Sequence, residues 1–237
     1  MKTDGSIGKS IPRIGAVERL LGKAVFSADM ALDHPLVLKV LVSDRDHARI
    51  VKVDTEAAAR VKGVAGIFTA GDIPGKNITG IINKDHPLLA ENKVRSKGDP
   101  VALVAAENSR AAEEAANKIR VTYEDLPSVH DPEEALKPDA PRVHHKGNLL
   151  FTRKIKKGDA EKAFKQCAVV VEKTYQTSFL EHTYLEPDAG AGYVGPDGQL
   201  VIIASTQNPH YDLSEVVSLL GVRENRVRII QAATGGG

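Results

Sequence analysis

Cysteine is almost missing from this chain: Cys167 stands alone among 237 residues. One thiol excludes an intrachain disulfide and any iron–sulfur cluster carried by this chain alone. Tryptophan is absent and aromatics make up 4% of residues, which leaves no platform for stacked bases. Neither charge sign is in excess. The 32 basic and 31 acidic residues give a net charge of +1, so no footprint for nucleic acid or an anionic membrane is implied. No apolar run approaches a membrane span, and the opening MKTDGSIGKSIPRIG has no apolar signal core, so a cytoplasmic protein is expected. The eight histidines show no metal-ligand spacing, and no directly bound metal is expected.

What the chain does contain is a series of short apolar runs separated by turn signals. Residues 36–43 (LVLKVLVS) read as a buried strand, 49–53 as an alternating one and 64–68 as a third. A helix over 55–61, stopped by Gly63, lies between the last two. Residues 74–87 form a glycine-rich loop with a short strand near 78–82. Residues 101–106 are a further strand, Asn108-Ser109 caps a helix over 109–118, and 120–123 returns as strand. Short strands and helices without a long βαβ series give an α+β (mixed α/β) fold. Four prolines (Pro127, Pro132, Pro138, Pro141) mark residues 126–148 as a linker. The chain then divides into an arm (1–14), a first domain (15–125), the linker and a second region (149–237). In that last region 149–154 and 168–178 (AVVVEKTYQTS) read as strands and 160–165 as a helix. Strands over 199–205 and 226–232 flank a helix over 213–220.

Both of those last strands run into residues suited to close contact with a bound group. Gln207 carries an amide that donates and accepts without adding charge. Taken alone, it reads equally as an amide satisfying a strand end. Gly235, Gly236 and Gly237 allow close backbone approach and could form an anion-binding nest, or simply a mobile chain end. Glu181, His182 and Glu186 have the composition of an acid–base cluster, but their place between two strands favours a shaping role. Cys167 reads as a small buried apolar residue. His144 and His145 sit in the linker and read as solvated. Arg153, Lys154, Lys156 and Lys157 read as a solvated face or an intersubunit patch.

The same stretch resembles the molybdopterin-binding large subunit of the xanthine dehydrogenase/aldehyde oxidase family. The matching residues are Glu181-His182, Leu185-Glu186-Pro187, Thr206-Gln207-Asn208-Pro209-His210, Gly221-Val222, Val227-Arg228 and Gly235-Gly236-Gly237. Residues 15–125 resemble the family's hammerhead domain, and 149–237 the start of its molybdopterin-binding domain. The resemblance implies a molybdenum–molybdopterin cofactor. Gln207 would hydrogen-bond an oxo ligand of the metal, and Gly235 to Gly237 would lead into the loop against it. It also implies iron–sulfur and FAD subunits as partners, an oligomer, and hydroxylation of an N-heterocycle or aldehyde with oxygen from water. The family's general-base glutamate is expected beyond these residues, so the 237-residue piece alone is expected to be inactive. Leu213 stands where many members carry an arginine. A competing expectation is that 15–125 is a non-catalytic scaffold or interaction module.

Overall fold

The computed structural model describes residues 7–186 and 188–236. Pro187 and Gly237 of the motifs above lie outside the described residues. The first region runs α1 (Ala16–Leu20), β1 (Val37–Val42), β2 (Ala48–Asp54), α2 (Glu56–Ala59), β3 (Val64–Thr69), β4 (Lys93–Val94), β5 (Pro100–Ala106), α3 (Ser109–Lys118) and β6 (Arg120–Asp125). Its strands form two three-stranded antiparallel sheets, ordered β1-β5-β3 and β4-β2-β6.

β5 is the middle strand of the first sheet, and Val101, Ala102, Val104, Ala105 and Ala106 are all buried along it. A strand covered on both faces needs an unbroken apolar run, not an alternation. Helix α3 lays Ala111, Ala112, Ala115 and Ala116 against this sheet. Asn108 caps it by accepting from Ala111 N–H at 3.0 Å. A second cluster joins Ala48, Ala90, Val94 and Val101. Apart from Ile119, the buried members of these clusters are alanine and valine, in keeping with the scarcity of aromatics. The 36–43 run forms β1, but at the sheet edge: Leu38, Val40 and Val42 are exposed. Its apolar content suggests burial, which an edge position does not supply.

The proline-rich connector is pinned at several points. Asp131 caps α4 (Pro132–Ala135) through Glu133 and Glu134 N–H. Asn148 Nδ2 donates to Ala135 O and Pro141 O, and Lys93 Nζ reaches from β4 to Val143 O at 2.7 Å. Among the described residues from 149 to 189, the only regular element is α5 (Ala160–Phe164). Neither 149–154 nor 168–178 is a strand here, contrary to expectation. A strand exists only where a neighbour takes up its N–H and C=O groups, and no described segment pairs with either run. The expected strand near 78–82 reduces to a single bridge, Thr79 to His86.

The remaining elements are β7 (Gly190–Val194), β8 (Leu200–Ala204), α6 (Pro209–Leu220) and β9 (Val227–Gln231), with sheet order β7-β8-β9. β7 runs antiparallel to β8, and β9 parallel to it. α6 starts earlier than the expected 213. Asn208 Oδ1 accepts from Tyr211 N–H at 3.1 Å, and Pro209 fills the first helical position, where its missing N–H costs nothing. The far end of α6 is closed by the first region. Gly75 N–H donates to Leu219 O at 2.8 Å and Lys76 N–H to Ser218 O at 2.9 Å, which satisfies carbonyls that a helix end leaves open. A Cβ on Gly75 would lie 2.6 Å from Gly221 N and 2.7 Å from Leu219 O, so only glycine lets the loop approach this closely. Beside this contact Lys84 pairs with Glu215, which is buried on α6.

Candidate cofactor site

Parallel pairing decides where the site lies. Ala204 of β8 pairs with Gln231 of β9, so both strands end at the same sheet edge. The two segments that follow them, Thr206–Gln207 and Thr234–Gly236, therefore meet. In an antiparallel pair they would sit at opposite ends. This is the edge of an open parallel arrangement where ligands bind, outside the carboxyl ends of the strands. β7 is antiparallel and starts at the same edge, with Gly190 opposite Ala204, so Glu186 arrives there too.

An open hollow of about 420 Å³ results, lined by Thr206, Gln207, Gln231, Thr234, Gly235 and Gly236. Gln207, Gly235 and Gly236, the described residues expected to contact the cofactor, all line it. Gln207 is exposed. Its neighbours are tied back: Gln231 Nε2 donates to Thr206 O at 2.7 Å, and Asn208 N–H donates to Thr206 Oγ1 at 3.0 Å. The amide is thus left on a fixed stem with the N-terminus of α6 directly after it, the positive end of the helix dipole.

Glu186 anchors the opposite wall. Its Oε1 accepts from Ser205 Oγ at 3.0 Å, and its Oε2 accepts from Gly235 N–H. Ser205 Oγ also lies 3.4 Å from Ser27 Oγ, and Phe26 bridges to Ala233, so the segment between α1 and β1 buttresses the same edge. A Cβ on Gly235 would fall 2.8 Å from Glu186 Oε2, and one on Gly236 2.5 Å from Tyr184 Cγ. A side chain at Gly235 would displace the Glu186 carboxylate, and one at Gly236 would push the Tyr184 ring aside. A second hollow of about 340 Å³ adjoins, lined in part by Glu181, Tyr184, Glu186 and Ser205.

Sequence reasoning missed the hydrogen-bonding duty of Glu186, the part played by Gln231 and the support from Phe26 and Ser27. Gln231 carries the same signal as Gln207, a glutamine at the end of an apolar strand. The contacts of Phe26 and Ser27 leave no local signal. Glu181 and His182 are exposed, and His182 stacks on Tyr184 with ring centroids 5.5 Å apart. Glu181 lines the second hollow, and His182 is not among the residues that line either one. Cys167 is exposed, not buried, because the segment that carries it packs on nothing described. His144 is half-buried, not solvated; desolvation, and then Arg95, holds its pKa below the ordinary imidazole value.

The wall chemistry suits an anionic, oxygen-rich group. It offers amides, hydroxyls and glycine backbone, and the carboxylate that braces it, Glu186, is already occupied by internal donors. Two family descriptions match successive parts of the chain. The description "aldehyde oxidase and xanthine dehydrogenase, a/b hammerhead domain" matches residues 21–127, and "molybdopterin cofactor-binding domain" matches 143–237. The chain belongs to the aldehyde oxidase and xanthine dehydrogenase family.

Particular relatives are the nicotinate dehydrogenase large molybdopterin subunit of Eubacterium barkeri and the xanthine dehydrogenase/oxidase of Mus musculus. The first is 42% identical over 98% of this chain and 54% of that protein. The second is 33% identical over 98% of this chain and 17% of that protein. The solved aldehyde oxidoreductase from Desulfovibrio gigas superposes with a TM-score of 0.87 at 30% identity, covering 95% of this chain and 26% of that one. The chain spans about half the length of the first relative and under a third of the other two.

Proposed function

We propose that this chain is part of the molybdopterin-binding subunit of a molybdenum hydroxylase that acts on an N-heterocycle or an aldehyde, with oxygen drawn from water. The observation that carries this reading is the convergence of Gln207 with Gly235 and Gly236 at one edge of β8 and β9, inside the stretch that matches a molybdopterin cofactor-binding domain. The amide of Gln207 would donate to the metal–oxygen end of the cofactor, and the glycine backbone would lie against it. The cofactor, when bound, supplies the redox chemistry at the substrate carbon. This chain's part is to orient it: Glu186 fixes the glycine wall, and the capped start of α6 fixes the amide.

The single cysteine keeps an iron–sulfur cluster from being carried by these 237 residues alone, and the proposal places the clusters and FAD on partner subunits of an oligomer. No helix among the described residues is long and apolar enough to cross a membrane, and a cytoplasmic enzyme is part of the proposal. So is a division into units at residues 126–148; limited proteolysis that first cut inside 101–123 would contradict that division.

Metal and pterin analysis of the assembled protein tests the main reading. The wild-type assembly should hold stoichiometric molybdenum, and Gly236→Val should lose it while circular dichroism stays unchanged. Wild-type molybdenum content in Gly236→Val would contradict the assignment of this hollow.

A further inference from the structure

One loop of the first region touches α6 from its first turn to its last. At the carboxyl end, Gly75 N–H donates to Leu219 O and Lys76 N–H to Ser218 O. Nearer the amino end, Lys84 Nζ pairs with Glu215 Oε1 and lies 5.2 Å from the centre of the Tyr211 ring. Tyr211, Glu215, Ser218 and Leu219 recur at helical spacing, so these contacts share one face of the helix. The loop is itself braced. Asn77 Nδ2 donates to Leu89 O at 2.7 Å, Asn77 Oδ1 accepts from Leu89 N–H at 3.1 Å, and Thr79 pairs with His86. Just past it, Ala90 N–H donates to Pro100 O of β5 at 2.7 Å. α6 thus lies on a template fixed to the core of the first region.

The ion pair is a costly way to join the two segments. Glu215 is buried, and its Oε2 has no hydrogen-bond partner among the described residues. A packed apolar pair would stabilise the contact at least as well. What the ion pair adds is register: it ties one loop atom to one turn of α6, where apolar side chains could slide. The turn it reaches is close to the site. Asn208, directly after Gln207, accepts Tyr211 N–H on Oδ1 and Asp212 N–H on its backbone O, both at 3.1 Å. Lys84 itself lines neither hollow. We infer that Lys84 is a positioning residue: through Glu215 and Tyr211 it sets where the first turn of α6 lies, and so where the Gln207 amide points. The inference rests on the reading of Gln207 as the cofactor's amide donor.

Replacing the ion pair by an apolar one in the assembled enzyme, Lys84→Met with Glu215→Leu, separates position from stability. Thermal stability should stay close to that of the wild type. The Tyr211 and Asp212 amides should nonetheless exchange about tenfold faster, in metal-loaded and metal-free protein alike. Turnover should fall by about tenfold or more in kcat at wild-type molybdenum content, with KM changed by less than about twofold. Adding Gln207→Ala should slow the enzyme no further than Gln207→Ala alone, because both changes act through one amide. Lys84→Gln, a single change at an exposed side chain, should move exchange and kcat the same way to a smaller degree. Wild-type exchange or wild-type kcat in the double variant would make the pair a structural contact and overturn the inference. Additive loss in the triple variant, or no shift in Lys84→Gln, would overturn it too. Gln207→Ala tells the two failures apart. Wild-type kcat there would overturn the cofactor reading, whereas an impaired Gln207→Ala beside an unimpaired double variant overturns the positioning alone.

Discussion

Glu186 and Gly235, 49 residues apart, are joined directly: the glycine N–H donates to carboxylate Oε2, while Oε1 holds Ser205. One side chain thus ties the segment before β7 to the ends of both β8 and β9. Removing it leaves two donors without their acceptor, at a cost of about 1–2 kcal/mol. Glu186→Ala should lower Tm by roughly 2–8 °C and loosen the glycine wall. Glu186→Gln keeps one acceptor oxygen and should fall between. Thermal melts of the three proteins check this; an unchanged Tm in Glu186→Ala would remove the clasp from the account.

Lys84 and Glu215 bind the first region to α6. Glu215 is 7% exposed, whereas the Lys84 side chain is 54% exposed, so solvent weakens the pair from one side only. Deleting the lysine leaves a buried carboxylate without its cation. Lys84→Met should cost about 1–3 kcal/mol. Adding Glu215→Leu should restore most of it, because the uncompensated charge is gone. Chemical denaturation of the single and double variants is the measurement, and additive losses would contradict the pairing.

His144 should make the fold sensitive to mild acid. Burial, then the Arg95 charge, holds its imidazole below the ordinary value near 6.5, with Lys93 and His145 acting the same way and Asp85 opposing them. Above that value the ring is neutral in both states and contributes no pH dependence. As pH falls below it, the unfolded chain takes up the proton first, so stability drops until the lower folded value is passed. His144→Gln should therefore show a smaller fall in Tm between about pH 7.5 and pH 5 than the wild type. An identical fall would show that this ring does not carry the effect.

Much of the sheet structure is legible because each strand declares itself locally: β5 by an unbroken apolar run, α3 by its asparagine cap, β8 and β9 by apolar runs that end in Gln207 and lead to Gly235. The site itself is legible only in part. That β8 and β9 are parallel is suggested by the helix between them, but the strand–helix–strand pattern does not say that the two strands are direct neighbours and so bring both loops to one edge. The link from Glu186 to Gly235 spans the whole sheet and is equally silent. At Asn208-Pro209 the capping signal of α6 is present in the sequence, although the helix reading over 213–220 starts after it. The run at 168–178 shows the opposite limit. Alternation records which face a strand would bury, but the ladder forms only when a partner is there.

The central claim is that Gln207 presents a fixed amide donor to the molybdenum end of the cofactor. Steady-state kinetics of Gln207→Ala and Gln207→Glu in the assembled enzyme, with molybdenum content measured in parallel, test it most directly. Loss of one preorganised donor slows turnover by about a hundredfold or more, and a glutamate in its place can no longer donate as an ionised group. Both variants should fall by at least that factor in kcat at wild-type molybdenum content. Wild-type kcat in both, at full metal content, would leave Gln207 a strand-end amide and contradict the account.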